Sequence, residues 1–314
     1  MSQGLLCVGL TTLDILARPV DALPANDTTA IMDQIVMVPA GTAGGTAMVA
    51  ARLGVRTALA STLGADPAGR LVRAELTAAG IDTTLLGEAP DRPTSVTILP
   101  INSAGQRPNL HAIGAGGHVA DTGHLHLAAG RSRFVHFAAV GASGLKTPAA
   151  AQFLKAAKAA GATVTCDLIS PRKGAIEDLK QLLPHVDYFM PNAAEARMLS
   201  GQDDLAAAGQ FLRGLGAGAC VFTDGAQGSV LIDAEGATRI PAHKITPVDT
   251  TSCGDSYCAG FIAGLDRGWS PLDACRLAGA VSALVAQGLG TLGALTSFEA
   301  AETLMRSPAE TTAL

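Results

Sequence analysis

Between residues 134 and 223 the chain alternates short apolar runs with helical patterns. Strands are expected at 134–139, 163–167 and 219–223, and another ends in Tyr188-Phe189-Met190-Pro191-Asn192. Helices are expected at 147–160, closed by Gly161, at 193–199, closed at Gly201, and at 205–215. This rhythm constrains the fold more than any other feature. It predicts an α/β protein with a mostly parallel sheet covered by helices on both faces. Ligand contacts in such sheets gather beyond the carboxyl ends of the strands. Asp14, Asp167, Asn192, Thr223 and Asp255 all fall at expected strand ends or helix starts.

The first part of the chain extends the pattern and interrupts it twice. A buried strand over 5–10 runs into Gly9-Leu10-Thr11-Thr12-Leu13-Asp14. A strand is expected at 57–63 and a helix at 66–79, closed by Gly80. The first interruption, near 15–40, contains a β-prone run at 28–38. The second, near 92–115, reads as a strand at 94–101, a turn at Asn102-Ser103-Ala104-Gly105 and a hairpin partner at 106–113. The two are expected to pair into one small sheet. The division is then a core of 1–11, 41–91 and 116–314 and a β-rich lid of 12–40 and 92–115. Gly41-Thr42-Ala43-Gly44-Gly45-Thr46 is expected to open a helix over 47–53, closed by Gly54. A last helix is expected at 297–306.

A length of 314 residues and 48% hydrophobic content allow one large core. A net charge of -5 argues against a nucleic-acid partner, which needs basic surface. The six cysteines form no CxxC pair and no Cys/His metal spacing. They sit mostly in apolar runs, and with no basic leader at the N-terminus the expected setting is cytoplasmic. Residues 277–298 carry no charge, but their glycines and hydroxyls predict a buried helix running into a loop, not a membrane span.

The chemistry concentrates in Asp249-Thr250-Thr251-Ser252-Cys253-Gly254-Asp255. Small residues at a helix start bring free N–H groups and the positive end of the dipole to a ligand, which favours an anion. Asp255 is awkward beside an anion unless it has a task such as taking a proton. Other motifs fail. Gly288-Leu289-Gly290-Thr291-Leu292-Gly293 spells a dinucleotide fingerprint but follows a helix and leaves no room for a βαβ unit. There is no GxxxxGK[ST] and no HExxH among the seven histidines. His118 and His124-Leu125-His126 read as a solvated turn.

The surviving stretches together resemble the ribokinase-like (PfkB) carbohydrate kinase family. The seven-residue stretch resembles its DTxGAGD signature. Pro191-Asn192-Ala193-Ala194-Glu195 is similar to its N-x-x-E motif, and Thr223-Asp224-Gly225-Ala226-Gln227-Gly228 to its T-x-G-x-x-G turn. Ala40-Gly41-Thr42-Ala43-Gly44-Gly45, with Arg52-Leu53-Gly54, resembles its N-terminal glycine motif. The resemblance spans nearly the whole chain and implies a three-layer α/β/α core with a small β-sheet lid. It implies ATP-dependent phosphorylation of a hydroxymethyl group on a sugar or sugar-like molecule. A nucleoside kinase of the same fold and a non-catalytic ligand-binding relative are the alternatives. The implied roles are Asp255 as general base and the backbone of Ser252, Cys253 and Gly254 as anion hole. Asn192 and Glu195 would place Mg²⁺ through water. Thr223, Gly225 and Gly228 would line the nucleotide side. Asp14, Gly41, Gly44, Gly45, Arg107 and Asn109, with His111, would meet the substrate. Asp249, Thr251 and carbonyls of the 286–293 loop resemble a monovalent-cation site, for K⁺. Lids of this family often pair across a homodimer.

Three departures stand out. Ser252-Cys253 replaces the usual Gly-Ala, and a thiol at a helix N-terminus is expected to have a lowered pKa, although a packing role is the expected one. Gly45 stands where the family usually carries a substrate-contacting Asn. Asp167-Leu168-Ile169-Ser170-Pro171-Arg172 keeps the ends of the D-x-N-x-R motif of sugar-phosphate kinases with one extra residue.

Overall fold

The computed structural model describes residues 3–141, 143–168 and 174–307. Arg172 lies outside them. The chain begins with β1 (Gln3–Gly9), β2 (Thr12–Arg18), β3 (Gln34–Ala40) and α1 (Thr42–Arg52). Then come β4 (Thr57–Gly64), α2 (Pro67–Ala78), β5 (Leu86–Ala89), β6 (Val96–Pro100), β7 (Leu110–Ala112), β8 (His118–Val119) and α3 (Gly123–Ala129). The alternating middle holds β9 (Ser132–Ala138), β10 (Ser143–Gly144), α4 (Thr147–Ala159), β11 (Thr163–Cys166), α5 (Ala175–Leu182), β12 (Tyr188–Phe189), α6 (Ala193–Ser200) and α7 (Leu205–Gly214). The last third is β13 (Ala219–Thr223), β14 (Ser229–Ile232), β15 (Ala237–Ile240), α8 (Cys253–Asp266), α9 (Pro271–Val285) and α10 (Phe298–Arg306).

Nine strands form the main sheet in the order β5-β4-β1-β9-β11-β12-β13-β14-β15. Every pair from β5 to β13 is parallel, and β14 runs antiparallel to both its neighbours. The chain builds outward from β1 to β4 and β5, then returns to add β9 on the other side. That reversal opens a crevice at the carboxyl end of β1, the usual place for a site in an open α/β sheet. Residues of β1 alternate between two apolar cores. Leu6 and Val8 pack with Phe137 and Phe153 under α3 to α7. Leu5 and Cys7 pack with Val49, Ile262 and Val281 under α1, α8 and α9. The period-two alternation of a strand thus yields the three-layer architecture.

A second sheet of four strands has the order β3-β2-β6-β7. It joins the two β-rich interruptions, as expected. Its register sets two rows of side chains. Val38, Asp14, Thr97 and His111 stand in line, and the next row is Met37, Ile15, Ile98 and Leu110. Successive rows point to opposite faces. The face carrying Asp14 also carries Leu16, Leu99, Val36 and Val38, packed with Leu289 of the core. On the other face Met37, Ile98 and Leu110 are exposed.

Several local expectations change. α1 starts at Thr42, so Gly44 and Gly45 lie inside its first turn instead of preceding it. Residues 124–126 are helical, not a solvated turn: the Thr122 hydroxyl caps α3 by accepting the Leu125 N–H, and Leu125 and Ala128 are buried. The sequence also gave no sign of β5, α5 or the β14–β15 hairpin. No helix among the described residues is long and apolar enough to cross a membrane; α9 ends at Val285 and a loop follows.

Candidate active site

The start of α8 is built by a fastened loop. Asp249 is 1% exposed. One of its oxygens accepts the N–H and hydroxyl of Thr251, at 2.8 and 2.6 Å; the other accepts the Gly290 N–H at 3.0 Å. The Val248 and Asp249 N–H groups reach the Ala286 carbonyl. The carboxylate therefore ties the 249–252 loop to the 286–293 loop. Three of the roughly four acceptor positions of the carboxylate are thus taken by protein donors, and one on the oxygen that accepts Gly290 is left.

Ser252 then adopts φ 57°, ψ 13°, the left-handed region. For a residue with a Cβ this costs about 1–2 kcal/mol. The strained turn points the chain into α8 and puts Asp255 in its first turn. A Cβ added at Gly254 would meet nothing within 4 Å, so the space above the helix start is open. First-turn N–H groups have no intrahelical acceptor. The Cys253 N–H leans instead toward the Thr250 carbonyl at 3.5 Å.

Burial pushes the Asp255 carboxyl up to about 7. A hydrogen bond from Ser252 opposes this, the charge of Asp14 adds to it, and Arg107 opposes it. Gly45 forms the floor: a Cβ there would lie 2.8 Å from Asp255 Oδ2. The Cys253 thiol does not follow the helix-terminus expectation. Burial, then Asp249, pushes it up to about 12, with Arg107 pulling the other way. It stays protonated and packs as a small residue 4.0 Å from the Ser282 carbonyl.

Asp14 is 6% exposed and accepts the Thr12 hydroxyl at 2.8 Å. Burial raises its pKa, and hydrogen bonds from Thr12 and Thr97 oppose the rise. Thr97 in turn lies 3.1 Å from His111 Nδ1, so Asp14, Thr97 and His111 form a polar row across three strands. Thr97 is a neighbour the sequence did not nominate, because strand pairing alone puts it beside Asp14. Asp167 is buried at the end of β11 and accepts the Leu168 N–H at 2.7 Å. Burial, then Asp255 and Glu195, raises its pKa well above the carboxylate range. Asp14, Asp167, Glu195 and Asp255 are thus brought into one electrostatic neighbourhood.

Other nominated residues divide. Gly41 is the N-cap of α1, and the N–H groups of Ala43 and Gly44 reach the Leu10 carbonyl. The Gly45 N–H bonds the Gly41 carbonyl. Gly44 and Gly45 are buried with their donors already engaged, so they serve packing and offer no donor to a substrate. Arg107 reaches Thr250, while Asn109 is exposed on the approach to β7. Thr223 ends β13 and bridges to Asn192. Gly225 and Gly228 bound the turn that follows, and a Cβ at Gly228 would overlap the Ile240 carbonyl. Asn192 and Glu195 form a capping box on α6, each side chain accepting the other's backbone N–H, at 2.9 and 3.0 Å. Among the described residues, no three His, Cys, Asp or Glu side chains could hold a metal by themselves.

The profile of the pfkB family carbohydrate kinases matches residues 2–297. This protein belongs to the pfkB family. As a pfkB carbohydrate kinase it is a phosphotransferase. It is 28% identical over 294 residues to a nucleoside kinase of Methanothermobacter thermautotrophicus, covering 92% of this chain and 91% of that one. It is 28% identical over 238 residues to the aminoimidazole riboside kinase of Salmonella typhimurium, covering 73% and 74%. The pfkB fold is equally plain. The Arabidopsis thaliana ribokinase, solved with ribose and ATP, superposes with a TM-score of 0.81 at 21% identity, over 98% of this chain and 100% of that one. A putative ribokinase II from E. coli, solved with ATP and Mg²⁺, gives 0.82 at 21% identity, over 96% and 99%.

Proposed function

We propose that this pfkB kinase transfers the γ-phosphoryl group of ATP to a hydroxymethyl group of a sugar or a riboside. The observation that carries the reading is Asp255: a half-buried carboxylate, raised to about 7, in the first turn of a helix with open space above it. Asp255 takes the proton of the acceptor hydroxyl as that oxygen forms its bond to γ-phosphorus. The bond from phosphorus to the bridging oxygen breaks, and ADP leaves with the electron pair. The N–H groups of Ser252 and Gly254 stabilise charge on the transferred group, with Cys253 contributing less because its N–H leans to Thr250. Thr223, Gly225 and Gly228 line the nucleotide side.

The four-stranded sheet acts as the lid, with Asp14 and the Thr97–His111 pair, which share one of its faces, receiving sugar hydroxyls. A carboxylate accepts such bonds well. Relatives named for nucleosides and for ribose share an acceptor with a ribose hydroxymethyl group. The test is ADP release over ribose, fructose, a 2-keto-3-deoxy sugar acid, cytidine and adenosine. Turnover of one class supports the reading. If none is phosphorylated while one still raises the unfolding temperature beside an ATP analogue, the protein is a binding relative.

Mg²⁺ suits this donor set: acidic groups at Glu195 and Asp167 stand beside an anion cradle, and too few converge to strip the ion of its water. When bound, it would neutralise phosphate charge. Glu195→Gln separates this role from capping. Gln serves as well in a capping box, so thermal stability should hold while the Mg²⁺ concentration for half-maximal rate rises several-fold. An unchanged Mg²⁺ dependence would leave Glu195 as a cap only. Asp249 and Thr251, with carbonyls of the 286–293 loop, are the proposed donors for K⁺.

The outer row Met37, Ile98 and Leu110, with Ile35 beside it, leaves an apolar sheet face exposed. A second copy of this chain is its proposed cover. Light scattering should give twice the chain mass, and Ile98→Lys should halve it. A monomeric wild type would remove the dimer.

A further inference from the structure

Arg107 lies on the lid loop between β6 and β7, yet its guanidinium rests on the anion-cradle loop 143 residues away. Nε donates to the Thr250 hydroxyl at 3.1 Å and Nη2 to the Thr250 carbonyl at 3.3 Å. These two bonds leave further N–H donors on the guanidinium. The loop behind it is braced. The Asn102 side chain exchanges hydrogen bonds with the side chain and N–H of Gln106, each at 2.8 Å. The Ser103 N–H and hydroxyl both bind Asp21. Pro108 follows and restricts Arg107 to extended backbone. The arginine is therefore held in place, not a loose surface charge.

Carboxylates crowd its surroundings. The carboxylates of Asp14, Asp167, Glu195 and Asp255 share the neighbourhood, and the helix start supplies only partial charges. The charge of Arg107 acts on both Cys253 and Asp255. A phosphoryl group in transfer spreads negative charge over its equatorial oxygens, and a guanidinium matches that geometry.

We infer that Arg107 is a catalytic residue, a lid-borne guanidinium that contacts the phosphoryl group as it passes to the acceptor. The inference rests on the phosphoryl-transfer reading above. It makes the anion hole complete only when the lid lies against the cradle loop, as it does here, which ties lid position to reaction.

The test is steady-state kinetics of Arg107→Ala and Arg107→Lys with ATP and each acceptor of the panel. The expected result for Arg107→Ala is a fall in kcat of about 10²–10³-fold, with both KM values within a few-fold. Partial recovery is expected in Arg107→Lys and on adding guanidinium ion to Arg107→Ala. A raised acceptor KM with intact kcat would make Arg107 an acceptor-binding residue and overturn the inference. So would a fall in kcat that guanidinium and Lys both fail to relieve, the mark of a mere latch. A second measurement needs no acceptor. Aluminium fluoride added to Mg·ADP should raise the unfolding temperature of the wild type further, and that gain should vanish in Arg107→Ala. An equal gain in both proteins, or none in the wild type, would also overturn the inference. A wild type inactive on the whole panel would sink the transfer reading, and the fluoride shift would still decide on Arg107.

Discussion

Asp255→Asn is expected to lower kcat by about 10²–10⁴-fold, the range of a lost general base, while ATP binding measured by thermal shift stays within a few-fold. The asparagine keeps the shape of the carboxylate and loses its basicity. Wild-type kcat/KM should rise with pH below about 7 and level off above it, because the base works only when ionised. Stability should move the opposite way. The folded pKa lies above the unfolded value, so the native state binds the extra proton between the two. Wild-type stability therefore falls as pH rises through that window to about 7. Asp255→Asn lacks this poorly solvated charge and should unfold at a higher temperature than the wild type at pH 8, with the gap narrowing by pH 5. A mutant that turns over like the wild type would remove Asp255 as the base.

Gly41→Ala is expected to lower the unfolding temperature by about 5 °C or more, the equivalent of about 3 kcal/mol in a chain of this size. Gly41 sits at φ 88°, ψ 156°, a region closed to residues with a side chain. An added Cβ would also lie 2.7 Å from the Leu10 carbonyl oxygen. That oxygen receives the first N–H groups of α1, so the strand end and the helix start cannot move apart cheaply. Gly105→Ala is the control. Its φ is 79°, but a Cβ there meets nothing within 4 Å. It should lose only the conformational part. Equal losses in the two would mean that the Leu10 contact does not matter.

The layered core was legible because apolar runs and helical patterns alternate from β9 to β13, with only α5 unread between β11 and β12. The small sheet was legible because both its parts break that rhythm. α3 was hidden: two of its seven residues are histidines, and its apolar stripe is short. The β14–β15 hairpin was hidden because each strand has only four residues. In the site, the acidic and glycine positions could be read from spacing. The state of Cys253 could not. A helix start alone would favour the thiolate, but folding brings Asp249 and Asp255 beside it and removes water. Nor does a serine announce a left-handed backbone, so the strain at Ser252 could emerge only from the turn itself.

That serine sets two aims of protein engineering against each other. A search guided by stability would choose glycine at 252 early, since glycine accepts the turn without penalty. The same choice would strip a hydroxyl from the proposed base and leave its proton harder to lose. Thermal tolerance and alkaline-free catalysis cannot both be tuned upward at this position, so variants selected for heat resistance alone would drift toward a slower enzyme at neutral pH.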